Sequence, residues 1–106
     1  VVGPDRALGA VIEMASNMYE PGIVNRQNPP SQAWFALGGL TPASQAGAER
    51  AAEVLRHAGT VEVTDDIRSA KWMKLVVNAG ELVPSAILDL PLPEAVRVPG
   101  MHAFML

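Results

Sequence analysis

Residues 69–88 read SAKWMKLVVNAGELVPSAIL, and inside them KWMKLVVN, residues 71–78, sets a tryptophan and a run of aliphatics beside Lys74 and Asn78, four positions apart. At about 100° per residue, Lys71, Lys74, Asn78, Glu81 and Ser85 share an arc of roughly 80°. Trp72, Met73, Leu75, Val76, Leu82 and Ile87, with other aliphatics between them, take most of the remaining circle. An ordinary surface helix confines its apolar stripe to about a third of its circumference or somewhat more. Here the proportions are reversed. The pattern predicts a long, mostly buried helix with one narrow polar seam. Pro84 has no N–H to offer the carbonyl of Gly80, so a kink or break is expected between them.

Two readings of the seam stay open on the residues alone. It is either the solvated side of a core helix, with the Lys and Glu heads reaching outward, or the lining of a cleft. In a cleft Lys74 offers a positive charge, and Asn78, one turn on, a neutral donor and acceptor. A lysine so placed can receive a carboxylate or give a proton to a carbonyl oxygen. Burying its charge requires a partner such as Glu81, Asn78 or a bound anion.

Moving outward, ALGAVIEM (residues 7–14) has the density of a strand, Pro21-Gly22 marks a turn, and GIVNRQ (22–27) reads as a second strand. The rigid NPPS loop precedes a third, WFALGGL (34–40). The short links predict an antiparallel meander. Thr41 as N-cap, Pro42 at the first helical position and Gly59 as the closing residue frame a helix. Its apolar face is drawn through Ala43, Ala51, Val54, Leu55 and Ala58. TVEVTDD alternates Val61 and Val63 with polar neighbours as a short strand, after which Asp65 or Asp66 can cap the long helix. The order is three strands, helix, strand, long helix, a mixed α/β pattern.

Composition narrows the functional classes. A formal net charge of −3 recommends neither nucleic acid nor an anionic membrane as partner. Hydrophobic residues make up 49% and charged ones 18%, too apolar a mixture for a disordered chain. The absence of cysteine excludes disulfides and thiolate metal sites and fits the reducing cytoplasm. No apolar run approaches the ~18 residues of a membrane span. The chain begins without Met and moves almost at once into a strand, and it ends on MHAFML; it reads as a piece of a longer protein.

Other candidates have simpler explanations. Asp65-Asp66 could form a carboxylate pair, but adjacent acids before a helix are most simply caps. His57 suits a helix C-terminus, and His102 offers nothing further; two histidines do not suggest a metal centre. Trp34 and Phe35 lack the basic neighbours of a base-stacking platform. The LGGL of residues 37–40 is not G-x-G-x-x-G and makes a poor phosphate cradle.

At residues 69–88 the sequence resembles the ketopantoate reductase (2-dehydropantoate 2-reductase) family, whose members carry W-x-K-L-x-x-N, a second Asn and a Pro-x-[ST]-Ala stretch at the opening of a C-terminal helical domain. PGIVNRQ and AAEVLRHAGTVEVTDDIRSAKW resemble the family's preceding strands, helix and crossover, so the likeness covers roughly residues 5 to 90. It implies that residues 1–65 are the C-terminal part of a Rossmann-type dinucleotide-binding domain and that 66–106 begin an all-α domain for substrate and dimerisation. It also implies an NADPH-dependent reduction of a small 2-keto acid, ketopantoate to pantoate, on the route to coenzyme A. Lys74 matches the family's catalytic lysine and Asn78 its first substrate-contacting asparagine. Homodimerisation through the helical domain is compatible with the likeness. The second Asn aligns with Leu82, and the Pro is displaced to Pro84, with Ser85-Ala86 following. The family's glycine motif for the pyrophosphate would lie before Val1, so the 106 residues by themselves are expected not to bind NADPH. The rivals are a non-catalytic interaction module docking through the apolar helix, and a related NAD(P)-dependent dehydrogenase for another 2-keto acid.

Overall fold

Trp34–Gly39 (β4) is the strand around which the first part of the chain is built; four consecutive residues, Phe35 to Gly38, are buried, the signature of a central strand. The computed structural model describes residues 2–105. Leu8–Glu13 (β1) pairs with β4 antiparallel, Leu8 opposite Gly39 and Glu13 opposite Trp34. Thr60–Val63 (β5) pairs with β4 parallel on its other edge, Trp34 opposite Thr60. The chain is therefore mixed α/β, with a three-stranded sheet ordered β1-β4-β5.

The expected meander is corrected. Ser16–Glu20 (β2), which the sequence pattern did not reveal, pairs with Ile23–Arg26 (β3) as a separate antiparallel hairpin. The strand SNMYE hides because Met18 and Tyr19 are adjacent and not alternating, and the hairpin buries nothing that would impose a period of two. Pro21-Gly22 is its turn, and Gly22 has the φ of 83° that the third position of a type II turn requires. Arg26 ties the hairpin to the rest: its Nε donates to the Asn28 carbonyl at 2.7 Å and Nη2 to the Ala58 carbonyl at 2.6 Å.

Side chains from β4 alternate between two covered faces. On one, Val11 and Ala36 are cross-strand partners and pack with Ile67, against which Trp34 and Ala70 also lie. On the other stand Pro42–Gln45 (α1) and Ala48–Leu55 (α2). The single helix expected over residues 42–58 is thus two. Thr41 does cap it: the Ser44 amide donates to Thr41 Oγ1 at 3.3 Å, and the Thr41 amide donates to Ser44 Oγ at 3.1 Å. The buried line is Ser44, Ala48, Ala52, and Val54, assigned to the apolar face, is exposed. α2 ends at Leu55; Gly59 follows the turn, its amide bonded to the Leu55 carbonyl at 3.2 Å.

Ile67–Leu88 (α3) is continuous through Pro84, so the expected break does not occur. Pro84 is fully buried, and that packing offsets its missing hydrogen bond. The chain divides into two compact units, one ending at Lys71 and the other starting at Trp72, so the division falls within α3. In the second unit α3 is followed by Leu92–Ala95 (α4) and Met101–Met105 (α5), with Ala95 fully buried. α3 closes on Asp89 at φ 53°, where the Leu90 amide donates to Ser85 O (3.1 Å) and the Asp89 amide to Ala86 O (3.3 Å), a Schellman cap.

Candidate functional site

The burial of α3 reverses the expectation of a buried rod with a solvated seam. Trp72 is 64% exposed, Leu75 56%, Val76 63% and Ile87 76%. Lys74 and Asn78, in contrast, are half-buried, as are Ala70 and Ser85, whereas Lys71 and Glu81 are exposed. Ala70, Lys74 and Asn78 follow at intervals of four, so they stand one above another on one side of the helix. The two polar residues singled out by their spacing are therefore on the more covered side, and the aliphatics look outward.

The seam is also chemically graded. Lys71 and Lys74 lie toward the N-terminal end and Glu81 lies beyond Asn78. The Ser85 hydroxyl is committed, since it donates to the Leu90 carbonyl as part of the helix end. Lys74 brings an ammonium to the seam and Asn78 an amide. An ammonium followed by an amide at this spacing is suited to an oxyanion or a carbonyl whose oxygen gains charge.

A second feature lies at the carboxyl ends of β4 and β5, where open α/β sheets commonly bind ligands. Two adjoining hollows of about 240 and 390 Å³ share Gly39, Leu40 and Asp65; Asp66, Ile67 and Arg68 line one, and Thr41, Pro42 and Gln45 the other. The Asp65 and Asp66 carboxylates make this end unfavourable to an anion. Asp66 is the cap of α3, accepting from the Ser69 amide at 3.1 Å. Bonds from the Ser69 side chain and backbone, aided by the Arg68 charge, hold its carboxyl below the usual range. The sequence did not mark these hollows; the Gly-Gly at a strand end followed by paired acids was the available signal.

Those glycines do not fit a pyrophosphate. The Ile67 side chain occupies the space over Gly9 and Gly38, which face each other across β1 and β4; a β-carbon at Gly38 would lie 2.8 Å from Ile67 Cβ and 2.6 Å from the Thr64 carbonyl. Gly39 is closed by Gln45, whose Oε1 accepts from the Gly39 amide at 2.5 Å while Nε2 donates to the Thr64 carbonyl at 3.1 Å. The small residues serve close packing of the chain on itself, and no phosphate cradle exists at this strand end.

His57, past the end of α2, and His102, in α5, are both exposed. Among the described residues no group of three or more histidine or carboxylate side chains gathers as a metal site, and no helix is long and apolar enough to cross a membrane.

The strand–helix–strand–long-helix order is the arrangement that the resemblance to ketopantoate reductases implies, and solved structures bear out that resemblance. A PanE/ApbA family ketopantoate reductase from Ralstonia eutropha JMP134 superposes with a TM-score of 0.66 at 28% identity, over 92% of this chain and 30% of its own. A candidate 2-dehydropantoate 2-reductase from Enterococcus faecalis shares the fold with a TM-score of 0.55 at 20% identity, over 96% of this chain and 32% of its own. The chain therefore spans about a third of the length of these solved structures. No protein-family model matches the sequence, and no curated protein matches it significantly.

Proposed function

We propose that the chain is the part of a 2-keto acid reductase that supplies the proton donor and a substrate contact, with Lys74 as general acid and Asn78 as a hydrogen-bonding partner of the substrate. The observation that carries this is the likeness to the Ralstonia reductase over 92% of the chain. The half-burial of Lys74 and Asn78 on a helix whose aliphatics are exposed supports it. On the same reading, residues 1–65 end a Rossmann-type domain, 66–106 open a helical one, and NADPH is the hydride donor. On this reading the chain's contribution is to the other reactant, since the space at Gly38 and Gly39 is taken by Ile67, Thr64 and Gln45. The cysteine-free sequence accords with a cytoplasmic enzyme.

Reduction of the ketone places negative charge on its oxygen. An ammonium held at that oxygen stabilises the charge and releases its proton there, leaving a 2-hydroxy acid and a neutral amine that water reprotonates. Asn78, one turn along, can bond to the substrate without adding a competing charge. In the native protein, Lys74→Ala should lower kcat by about 10²-fold or more, with cofactor affinity little changed. Asn78→Ala should act mainly on KM for the keto acid. Steady-state kinetics decides both; unaltered turnover in Lys74→Ala would remove the general acid and leave the docking module, which the exposed apolar residues of α3 favour, as the better reading. The substrate that the likeness names is 2-dehydropantoate, with other 2-keto acids as the alternative.

A further inference from the structure

We propose that Ile67 is a positioning residue for Lys74, holding α3 at the rotation about its own axis that aims the lysine; this rests on the reading of Lys74 as the general acid. Seven residues separate the two, about 700° of helix and so within about 20° of two full turns. Ile67 and Lys74 therefore share one side of α3, about 10 Å apart along it, and Ala70 and Asn78 stand on the same side. Whatever fixes the rotation of the helix at Ile67 fixes it at Lys74 too.

Ile67 is fully buried, and its side chain sits over Gly9 and Gly38, which lie opposite each other on β1 and β4. A β-carbon at Gly9 would lie 2.7 Å from Ile67 Cγ1 and 3.2 Å from Cγ2; one at Gly38 would lie 2.8 Å from Ile67 Cβ and 3.4 Å from Cγ2. Both γ-carbons thus rest in a notch that two facing glycines leave open. A β-branched isoleucine on a helix keeps to one χ1 rotamer, so it does not swivel to let the backbone turn. Ala70, one turn on, lies against the same cluster of Val11, Ala36 and Ile67 and gives the helix a second point of contact. The link before α3 is tied as well: the Thr64 amide donates to the Leu37 carbonyl at 2.8 Å, and the Asp66 amide donates to Thr64 Oγ1 at 3.1 Å. An atom at the side-chain perimeter, about 5–6 Å from the helix axis, moves about 1 Å for each 10° of rotation. A misplacement of that size at a reacting group can cost about 10²-fold in rate.

The test is a double-mutant cycle on kcat in the native protein, with 2-dehydropantoate and NADPH. Ile67→Ala should lower kcat by about tenfold or more while Lys74 is present. In the Lys74→Ala background the same change should leave kcat where it was, because the residue acts through the lysine. A merely structural loss would lower kcat by one factor in both backgrounds. Ile67→Leu keeps the volume and gives up the β-branch; it should show a smaller loss with the same dependence on Lys74, and it decides the matter where Ile67→Ala does not fold. Ile67→Val keeps the branch and should retain kcat. Equal losses in the two backgrounds, or no loss in either Ile67→Ala or Ile67→Leu, overturn the positioning role while leaving Lys74 as the acid. Undiminished turnover in Lys74→Ala alone overturns the general acid, and the role of Ile67 with it.

Discussion

A β-carbon at Gly39 would lie 2.2 Å from the backbone nitrogen of Gln45 and 2.6 Å from its Cα. Backbone atoms cannot rotate away as a flexible side chain can, so α1 would have to shift bodily and break the Gln45 bridge between Gly39 and Thr64. Gly39→Ala should therefore cost roughly 3 kcal/mol, the upper part of the usual range for overpacking. Urea unfolding measures it, and a loss under about 0.5 kcal/mol would show that α1 is free to move. Asp66 tests a different cause. Its carboxyl titrates below its unfolded value because Ser69 bonds to the charged form. Its contribution is then complete above the unfolded pKa and lost as pH falls through the lower folded one. Asp66→Ala should melt earlier than the unaltered chain at pH 7, and the gap should close as pH falls below about 4. A gap independent of pH would mean that the carboxylate is not the stabilising species.

At the scale of elements, the end of α3 departs from common usage. The left-handed C′ position favours glycine and this chain places Asp89 there, adding a negative charge where the helix dipole is already negative. Asp89→Gly should raise stability by about 1 kcal/mol, read as a higher melting midpoint. A lower midpoint would reveal that the Asp89 side chain makes a compensating contact. Elements whose signals are local were legible beforehand: Thr41 as a cap and Asp65 or Asp66 as another, which the structure resolves to Asp66, Val61 and Val63 alternating, and the apolar run that became β4. Those that depend on partners were not. The sequence could not say that β4 would choose β1 over β3, because that choice rests on Gly9 meeting Gly38 beneath Ile67. It could not reveal β2, whose residues bury no face. Nor could it tell which side of α3 would be covered, since apolar residues surround most of the helix and only the packed neighbours decide. Lys74 and Asn78 stood out by spacing, but their half-burial is a fact of three dimensions.

For the molecule as a whole, the decisive question is which reactant these residues can hold. Dinucleotide sites present backbone amides around an open glycine turn, so that phosphate oxygens approach the chain closely. The paired glycines of this chain lie at the corresponding end of a strand, yet their space is taken: Ile67 and Thr64 fill it at Gly38, and Gln45 fills it at Gly39. The nearest hollows carry Asp65 and Asp66 against the single cation Arg68, a net negative lining that opposes phosphate. The seam on α3, by contrast, carries two lysines and an asparagine and is suited to a small carboxylate. The 106-residue chain should accordingly show no saturable binding when NADPH fluorescence is titrated up to about 1 mM, the upper end of common KM values. Saturation in the micromolar range would mean that a phosphate site exists among these residues after all. The site would then have to be sought away from Gly38 and Gly39, and the division of labour proposed for this chain would fail.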